Sequence, residues 1–415
     1  MSRDFDVRRY RTLFPALSRQ VGDRAAVFLD GPGGSQVPSR VIEAVARYLS
    51  CTNANCGGDF ATSVESDALL EGARKAVADL LGTGDPGTVS FGANMTTLTL
   101  ALARAFSRIW GKDDEVLVTR LDHDANVSPW VQAARDAGAR VRHVEIRRED
   151  CTLDLADLGS KLGPRTRLLA FGCASNATGT ITPIRRIIEM AHEAGALVFL
   201  DAVHYAPHAL MDVEAWDCDF LACSAYKFFG PHVGILYGKR DLLESLPVYK
   251  LRPASDALPH RWETGTLCHE GIAGTTEAIE YLACLGGDQD PAAASRRSAL
   301  RAAFRAIGDY ERSLSLRMLE GLARIRGLRL YGIADSPRLG ERTPTFAFTL
   351  ERRSPREVAS LLAARGIFVW SGNFYALPLT EALGVEPDGL VRAGLLHYNT
   401  AGEIDTFVEA LERIR

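Results

Sequence analysis

A carboxylate and a lysine each follow a short apolar run in the middle of this 415-residue chain. Leu197-Val-Phe-Leu leads into Asp201, and Phe220-Leu-Ala-Cys leads into Ser224-Ala-Tyr-Lys227. Both runs have the length and composition of buried strands, and open α/β sheets hold their ligands at strand ends. We therefore expect Asp201 and Lys227 to face one cleft.

These two groups suit a cofactor that carries an aldehyde on a pyridine ring. A fixed carboxylate keeps the ring nitrogen protonated, so the ring becomes an electron sink for a carbanion at the Cα of an amino acid, and a sheltered lysine holds the aldehyde as a Schiff base. Ser-x-x-Lys also occurs in acylating serine hydrolases, but the Ser-Asp-Asn and Lys-Thr-Gly partner motifs of those enzymes are missing from the sequence. The residues favour pyridoxal 5'-phosphate.

The segments around this pair alternate short apolar runs with amphipathic stretches between Val89 and Gly238. Helical stretches such as 129–137 and 183–194 are each followed by a glycine that can end the helix. This alternation predicts an α/β fold with a mostly parallel sheet covered by helices on both faces. The predicted strands are Val89-Ser-Phe, Glu115-Val-Leu-Val-Thr, Val141-Arg-His-Val-Glu-Ile, Arg167-Leu-Leu-Ala-Phe and the two runs before Asp201 and Lys227.

The composition of the sequence changes after Gly286. A polar, Ala- and Arg-rich stretch over 288–305 predicts a long connecting helix, and the residues beyond it predict a smaller α+β domain. We therefore expect a large domain over 30–286 and a small one over 287–415, with 1–29 packed against the small domain. The predicted elements of the small domain are strands at 327–331, 345–350 and 366–370 and a closing helix at 401–414.

Composition argues against several classes of partner. The net charge is −4, and basic and acidic residues are interspersed, so we expect a small-molecule substrate rather than nucleic acid. The charged N-terminus lacks an apolar signal region and no stretch is apolar enough to span a bilayer, so we expect a cytoplasmic protein away from membranes. Eight scattered cysteines without zinc-type spacing are expected to be reduced and structural, and no metal is expected.

Several motifs, in the right order and spacing, resemble the fold-type I, class V pyridoxal-phosphate enzymes, and among them the cysteine desulfurase and selenocysteine lyase group. The resemblance covers nearly the whole chain, from Leu29-Asp-Gly-Pro-Gly-Gly to Tyr398-Asn-Thr. It implies a seven-stranded sheet, with Lys227 as the Schiff-base lysine and Asp201 as the partner of the pyridinium nitrogen. It also implies that His204 and Asn176 hydrogen-bond the phenolic oxygen of the cofactor.

The same resemblance assigns the rest of the cofactor site. His123 matches the histidine that stacks on the ring and can shuttle protons. The phosphate is expected at a helix N-terminus, where backbone N–H groups and the helix dipole bind anions. Thr266 matches a threonine that completes the phosphate site of a partner subunit, which implies a homodimer with shared sites. The other expected phosphate-binding residues are Asn94, Met95, Thr96, Ser224 and Tyr226.

Arg392, in Val-Arg-Ala-Gly-Leu-Leu-His-Tyr-Asn-Thr, matches the arginine that binds the substrate carboxylate in this group. A guanidinium fork suits a bidentate carboxylate and selects an α-amino acid. Asn373, in the segment Gly372-Asn-Phe-Tyr375, is expected to contact the same substrate.

The chain departs from the desulfurase pattern at Tyr375, which stands where these enzymes carry the cysteine that accepts sulfur. Three reactions remain open: C–S β-elimination, cysteine desulfurase or selenocysteine lyase activity with Cys56 or Cys268 as a substitute acceptor, and other Cα chemistry (transamination, epimerisation or oxidative decarboxylation) with Tyr375 as an acid or base. We rank them in that order. A non-catalytic cofactor-binding module is the alternative of a different class, but it would need neither an electron sink nor a substrate clamp.

Overall fold

The computed structural model describes residues 5–415, and its centre is a sheet of seven strands. The spatial order of the strands is β1-β7-β6-β5-β4-β2-β3, and only β7 runs against the others. The prediction of a mostly parallel α/β sheet is confirmed. The strands are β1 (Val89–Gly92), β2 (Glu115–Thr119), β3 (Arg140–Val144), β4 (Thr166–Gly172), β5 (Leu197–Asp201), β6 (Phe220–Ser224) and β7 (Gly234–Gly238).

The central strands are buried on both faces because helices cover both sides of the sheet. Successive residues of one strand point to opposite faces, so neighbours enter different parts of the core. In β5, Val198 and Leu200 pack in one hydrophobic cluster, whereas Phe199 packs in the other. This two-sided burial explains why the strands are continuous apolar runs instead of alternating ones.

Fourteen α-helices lie among the described residues. The predicted stops at Gly138 and Gly195 are confirmed, since both glycines follow a helix with positive φ, at 72° and 79°. The helices are α1 (Val7–Arg11), α2 (Ser39–Arg47), α3 (Ala61–Leu81), α4 (Met95–Ser107), α5 (Ser128–Ala137), α6 (Leu155–Lys161), α7 (Ile184–Glu193), α8 (Val213–Trp216), α9 (Arg240–Ser245), α10 (His269–Gln289), α11 (Arg296–Ala323), α12 (Pro355–Ala363), α13 (Leu377–Leu383) and α14 (Ala401–Ile414).

A second, antiparallel sheet of four strands follows α11. Its strands, in the spatial order β8-β9-β11-β10, are β8 (Leu328–Tyr331), β9 (Thr345–Leu350), β10 (Trp370–Gly372) and β11 (Leu390–Gly394). The hydrophobic cluster of this region includes residues of α11, α12 and α14. Short two-residue strands also occur at Gln20–Val21, Arg24–Ala25, Val27–Phe28, Ile146–Arg147, Thr152–Leu153 and Ile367–Phe368.

The N-terminal segment contacts this second region directly. Val27–Phe28 pairs in parallel with Ile367–Phe368. Arg11 forms an ion pair with Glu403 of α14 at 2.8 Å and donates a hydrogen bond to the Tyr398 carbonyl at 2.7 Å. Strand pairing and a half-buried ion pair thus join the two ends of the described chain.

Two predicted elements are wrong in their boundaries. The stretch 288–305 is not one helix, because α10 ends at Gln289 and α11 begins at Arg296. Pro291 cannot continue a helix, and Ser295 caps α11 through reciprocal hydrogen bonds with Ser298. The expected strand at 366–370 is split in two, since its first part pairs with the N-terminal strand and its second part with β11.

Within residues 5–415, no helix combines the length and the apolar character needed to cross a bilayer.

One buried ion pair connects the large sheet to the loop before α10. Arg74 of α3 donates to both carboxylate oxygens of Glu263, at 2.8 and 2.9 Å, and their side chains are 9% and 4% exposed. Glu263 also accepts a hydrogen bond from the backbone N–H of Phe91, at 3.1 Å, near the end of β1. The pair therefore fixes the backbone just ahead of α4.

Replacing Glu263 with glutamine should lower the free energy of unfolding by about 3–5 kcal/mol, because the Arg74 charge stays buried without its partner. Asp405→Asn is the matched control, since the Arg317–Asp405 pair has side chains that are 50% and 46% exposed. Its loss should move the denaturant midpoint far less, because exposed ion pairs contribute little to stability. Denaturant midpoints of the three proteins measure the difference, and equal midpoints for both variants would contradict the assignment.

Candidate active site

Asp201 and Lys227 meet at the carboxyl edge of the large sheet, as their positions after two apolar runs predict. Asp201 is the last residue of β5 and lies in register with Ala222 of the neighbouring β6. Lys227 ends the turn of 3-10 helix that follows β6 directly. Both side chains are buried and line the same cavity.

All the predicted cofactor-binding residues except Thr266 line this cavity. The walls come from the ends of β2, β4, β5 and β6 and from the start of α4, which are far apart in sequence. The lining residues are Asn94, Met95, Thr96, Asp122, His123, Ala125, Gly172, Ala174, Asn176, Asp201, Val203, His204, Ser224, Tyr226 and Lys227.

Burial changes the protonation of the central pair. It lowers the pKa of Lys227 from 10.5 to about 7, with a further lowering by the nearby Arg392 that Asp201 opposes. Burial raises the pKa of Asp201 to about 6, although the Val203 N–H donates to its Oδ1 at 2.9 Å and Lys227 lies close. The Lys227 Nζ donates to the carbonyl of Pro32. A lysine in this state is a neutral nucleophile near neutral pH.

His123 lies at the start of a short turn after β2, with its ring in the cavity wall. Its Nδ1 accepts a hydrogen bond from the Ala125 N–H at 3.0 Å, which leaves the proton of the neutral ring on Nε2. Burial, Lys227 and Arg392 lower the pKa of His123 to about 4. The ring is therefore neutral and presents one defined tautomer.

His204 presents a buried nitrogen without a partner to the same cavity. Its Nε2 lies 3.0 Å from the hydroxyl of Thr345 and 3.2 Å from that of Thr343. Thr343 donates to the Gly179 carbonyl, so its oxygen can accept from an Nε2–H, whereas the Thr345 hydroxyl can either accept from Nε2–H or donate to Nε2. Within residues 5–415 the Nδ1 of His204 has no hydrogen-bond partner, and the same holds for Oδ1 of Asn176. Two polar groups are thus left for a ligand.

The N-terminus of α4 forms another wall. The Asn94 side chain caps the helix by accepting from the Thr97 N–H at 2.9 Å. The Met95 N–H donates to the hydroxyl of Ser224 at 3.0 Å. Asn94 therefore acts as a helix cap in this structure, and the anion-binding character of the wall comes from the helix end and the Ser224 hydroxyl.

Arg392 comes from β11 of the second sheet and reaches towards the large sheet. The side chain is buried, and its Nη1 donates to the Asn176 carbonyl at 2.8 Å. Its guanidinium carbon lies 4.2 Å from the centre of the Phe374 ring. Burial lowers the pKa of Arg392 to about 9, so the guanidinium remains a cation at neutral pH. It supplies a permanent positive charge next to a site in which Lys227 loses its proton near neutral pH.

Tyr375 lies at the mouth of the site and outside the cavity lining. Its ring stacks on His123, with centres 5.4 Å apart and planes at 24°, and its side chain is 72% exposed. Asn373 faces this segment, because its Oδ1 accepts from the Tyr375 N–H at 3.1 Å. The structure thus brings Tyr375 to the site entrance and uses Asn373 to support the local backbone.

Thr266, Cys56 and Cys268 lie away from the cavity. Thr266 is exposed and shares a separate surface pocket with Cys268 and with Thr97 of α4. Cys56 lies 3.8 Å from Nε2 of His269. Burial raises the pKa of Cys56 to about 11 and also raises that of Cys268. None of the eight cysteines, all of which fall within residues 5–415, lines the cavity.

Asp122 is a cavity residue that the sequence analysis missed. Its carboxylate accepts from the Thr119 hydroxyl and from the Asn126 side chain, and one oxygen occupies the space beside Gly172 where a larger residue would place its Cβ. Burial and the neighbouring Asp201 raise the pKa of Asp122 to about 7. Its only sequence signal was its place directly before His123, at the end of a strand.

The sequence profile of the family described as aminotransferase class-V matches residues 27–407. A cysteine desulfurase of Pectobacterium atrosepticum is 32% identical over 426 residues, which cover 99% of this chain and 98% of that protein. A cysteine desulfurase of Serratia proteamaculans is also 32% identical, with the same coverage of both chains.

Solved structures of the same kind share the fold. A cysteine desulfurase of Escherichia coli, solved in an S-sulfonic acid form, matches with a TM-score of 0.83 and 30% identity over 99% of this chain and 98% of its own. The apo cysteine desulfurase of Thermococcus onnurineus matches with a TM-score of 0.84 and 26% identity over 94% of both chains. The chain therefore belongs to the aminotransferase class-V family and is a pyridoxal 5'-phosphate-dependent enzyme.

Proposed function

We propose that this protein cleaves the C–S bond of a cysteine-derived α-amino acid by β-elimination. The products are a free thiol and an enamine that water converts to pyruvate and ammonia. The observation that carries the proposal is that Lys227, Asp201 and His123 line one cavity that no cysteine lines, while the buried Arg392 donates to the backbone carbonyl of Asn176, another residue of that lining.

The residues of the cavity fit pyridoxal 5'-phosphate. Asp201 offers a carboxylate for the ring nitrogen, and Lys227 offers the aldehyde an amine that loses its proton near neutral pH. The unpartnered His204 Nδ1 is left for the phenolic oxygen, and it donates there in the tautomer in which Thr345 donates to Nε2. Asn176 also lines the cavity, and its Nδ2 donates to the Phe374 carbonyl. The start of α4 and Ser224 fit the phosphate. When bound, the cofactor supplies an electron sink that stabilises negative charge at the substrate Cα.

Side chains of this protein bind the substrate and transfer the proton. Arg392 binds the substrate carboxylate and so fixes the orientation of Cα. Lys227 has a pKa near neutrality, which suits an amine that takes the Cα proton. His123 lines the cavity with the proton of its neutral ring on Nε2, and Asp201 places a carboxylate among the same lining residues. Elimination of the thiolate from Cβ then needs no acceptor for sulfur.

Tyr375 favours elimination over sulfur transfer to the protein. A phenol cannot form a persulfide, and Tyr375 stands at the position of the sulfur-accepting cysteine of the family. The second candidate is desulfuration with a substitute cysteine, which the names of the relatives favour. Cys56 and Cys268 are the cysteines proposed for it, but raised pKa values keep both thiols protonated and weakly nucleophilic.

We also propose that two copies of this chain form a homodimer in the cytoplasm. Thr266 is exposed in a pocket next to the start of α4, where it is free to contact the phosphate site of another subunit. All eight cysteines are free thiols, which is typical of a reducing compartment. The proposed domains are 30–286 and 287–415. The pairing of Val27–Phe28 with Ile367–Phe368 supports the packing of 5–29 on the second, and residues 1–4 of the segment 1–29 lie outside the described residues.

The apo protein should capture the cofactor aldehyde faster as pH rises, with a midpoint near 7. The low pKa of Lys227 means that the reactive, neutral amine accumulates above that pH. Replacing Arg392 with glutamine should move the midpoint upwards because a neighbouring cation is removed. Growth of the visible absorption band after mixing measures the rate, with Lys227→Ala as the blank. A midpoint near the ordinary lysine value would contradict the assignment.

Turnover of a cysteine S-conjugate should release pyruvate and free thiol in equal amounts. Intact-protein mass spectrometry should detect no added sulfur, and the double variant Cys56→Ala/Cys268→Ala should keep the wild-type rate, because neither thiol takes part. Alanine as the product, together with a protein persulfide or loss of activity in the double variant, would replace elimination with desulfuration.

A further inference from the structure

Tyr375 is an exposed aromatic ring whose position is fixed by its own backbone. Phe374 and Tyr375 have φ values of 57° and 58°, in a left-handed region that bulky residues rarely adopt. Hydrogen bonds hold this conformation, since the Tyr375 carbonyl accepts from the Asp124 N–H at 2.6 Å and the Phe374 carbonyl accepts from the Asn176 side chain at 2.9 Å. The ring is therefore presented to solvent in one place.

Only one face of the Tyr375 ring is used by the protein. That face stacks on His123, while 72% of the side chain remains exposed. Within residues 5–415 its hydroxyl has no hydrogen-bond partner, so the protein contacts the aromatic ring and not the hydroxyl group. The other face of the ring is exposed apolar surface, and the His123 imidazole lies between the Tyr375 ring and the cavity that His123 lines.

The same segment also carries the contact to the proposed carboxylate clamp. Phe374 packs against the guanidinium of Arg392 at 4.2 Å, and Tyr375 follows it in the chain. Trp370, which is paired with Arg392 across the two strands, adds a second aromatic side chain that is 51% exposed. If Arg392 binds the carboxylate of an amino acid and its Cα lies near Lys227, the group attached to its sulfur extends towards the mouth of the site. There it meets the exposed aromatic rings of Tyr375 and Trp370.

We propose that Tyr375 forms a stacking subsite for a planar, aromatic substituent on the substrate sulfur. The preferred substrates are then cysteine S-conjugates with an aryl group, and not free cysteine. This inference rests on the proposed C–S elimination, because it assigns the substituent that this reaction releases as a thiol. Tyr375 is a specificity-determining residue in this account and transfers no proton.

The test uses carboxylic acids that lack the amino group and so bind without reacting. Calorimetry with the cofactor-loaded protein compares 3-(phenylthio)propanoate with 3-(methylthio)propanoate. The phenyl compound should bind about tenfold more tightly, since aromatic stacking plus the added burial is worth roughly 1.4 kcal/mol. Tyr375→Phe should keep this preference, whereas Tyr375→Ala should reduce it to twofold or less.

Tyr249→Ala is the matched control, because Tyr249 is another exposed tyrosine, at 60%, that does not line the cavity. This variant should retain the full preference. An undiminished preference in Tyr375→Ala, its loss in Tyr375→Phe, or no measurable binding of the phenyl compound to the wild type would overturn the proposal. If the preference behaves as expected but S-conjugates yield no thiol, the subsite stands and the proposed reaction fails.

Discussion

The burial of the Lys227 amine close to the Asp201 carboxylate is the constraint around which this site is organised. Withdrawal from water raises the free energy of a charged amine, and the cation of Arg392 raises it further. Asp201 alone does not restore the ordinary pKa of the lysine. The fold therefore keeps an amine reactive near neutral pH by shielding it from water with a core that covers both faces of the sheet.

The large sheet both shields the Lys227 amine from water and places it next to Asp201. Asp201 ends β5 and Lys227 follows β6, so parallel pairing of two adjacent strands brings their side chains to one edge. The helix end at Asn94 and the turn at His123 enter the cavity from the neighbouring elements. Each is a polar group at the terminus of a buried element, where its polar partners need not disturb the apolar core.

The second sheet contributes what the first lacks, a buried cation for a carboxylate. Arg392 donates to the Asn176 carbonyl and packs on Phe374, so the proposed substrate clamp depends on contacts between residues far apart in sequence. The contact also ties the exposed Tyr375 segment to the site. The stretch 372–375 thus contacts two groups of the proposed mechanism, Arg392 through Phe374 and His123 through Tyr375.

Local pattern predicted most of this architecture because the buried strands are continuous apolar runs and the chemical groups follow them directly. It failed where a long-range contact decided the outcome, and also where the local stop and cap signals within one predicted helix were overlooked. The strand at 366–370 splits because its first half pairs with the N-terminus, and the helix over 288–305 is interrupted by Pro291 and the cap at Ser295. Asp122 went unnoticed because its role depends on space left by Gly172 on another strand.

The central claim is that Lys227 is the residue that holds the cofactor aldehyde. Borohydride reduction of the cofactor-loaded protein makes that link permanent, and peptide mapping then identifies the labelled lysine. The account predicts a single label on Lys227 and none in Lys227→Ala. A label on any other lysine, such as the solvent-facing Lys75, would contradict it.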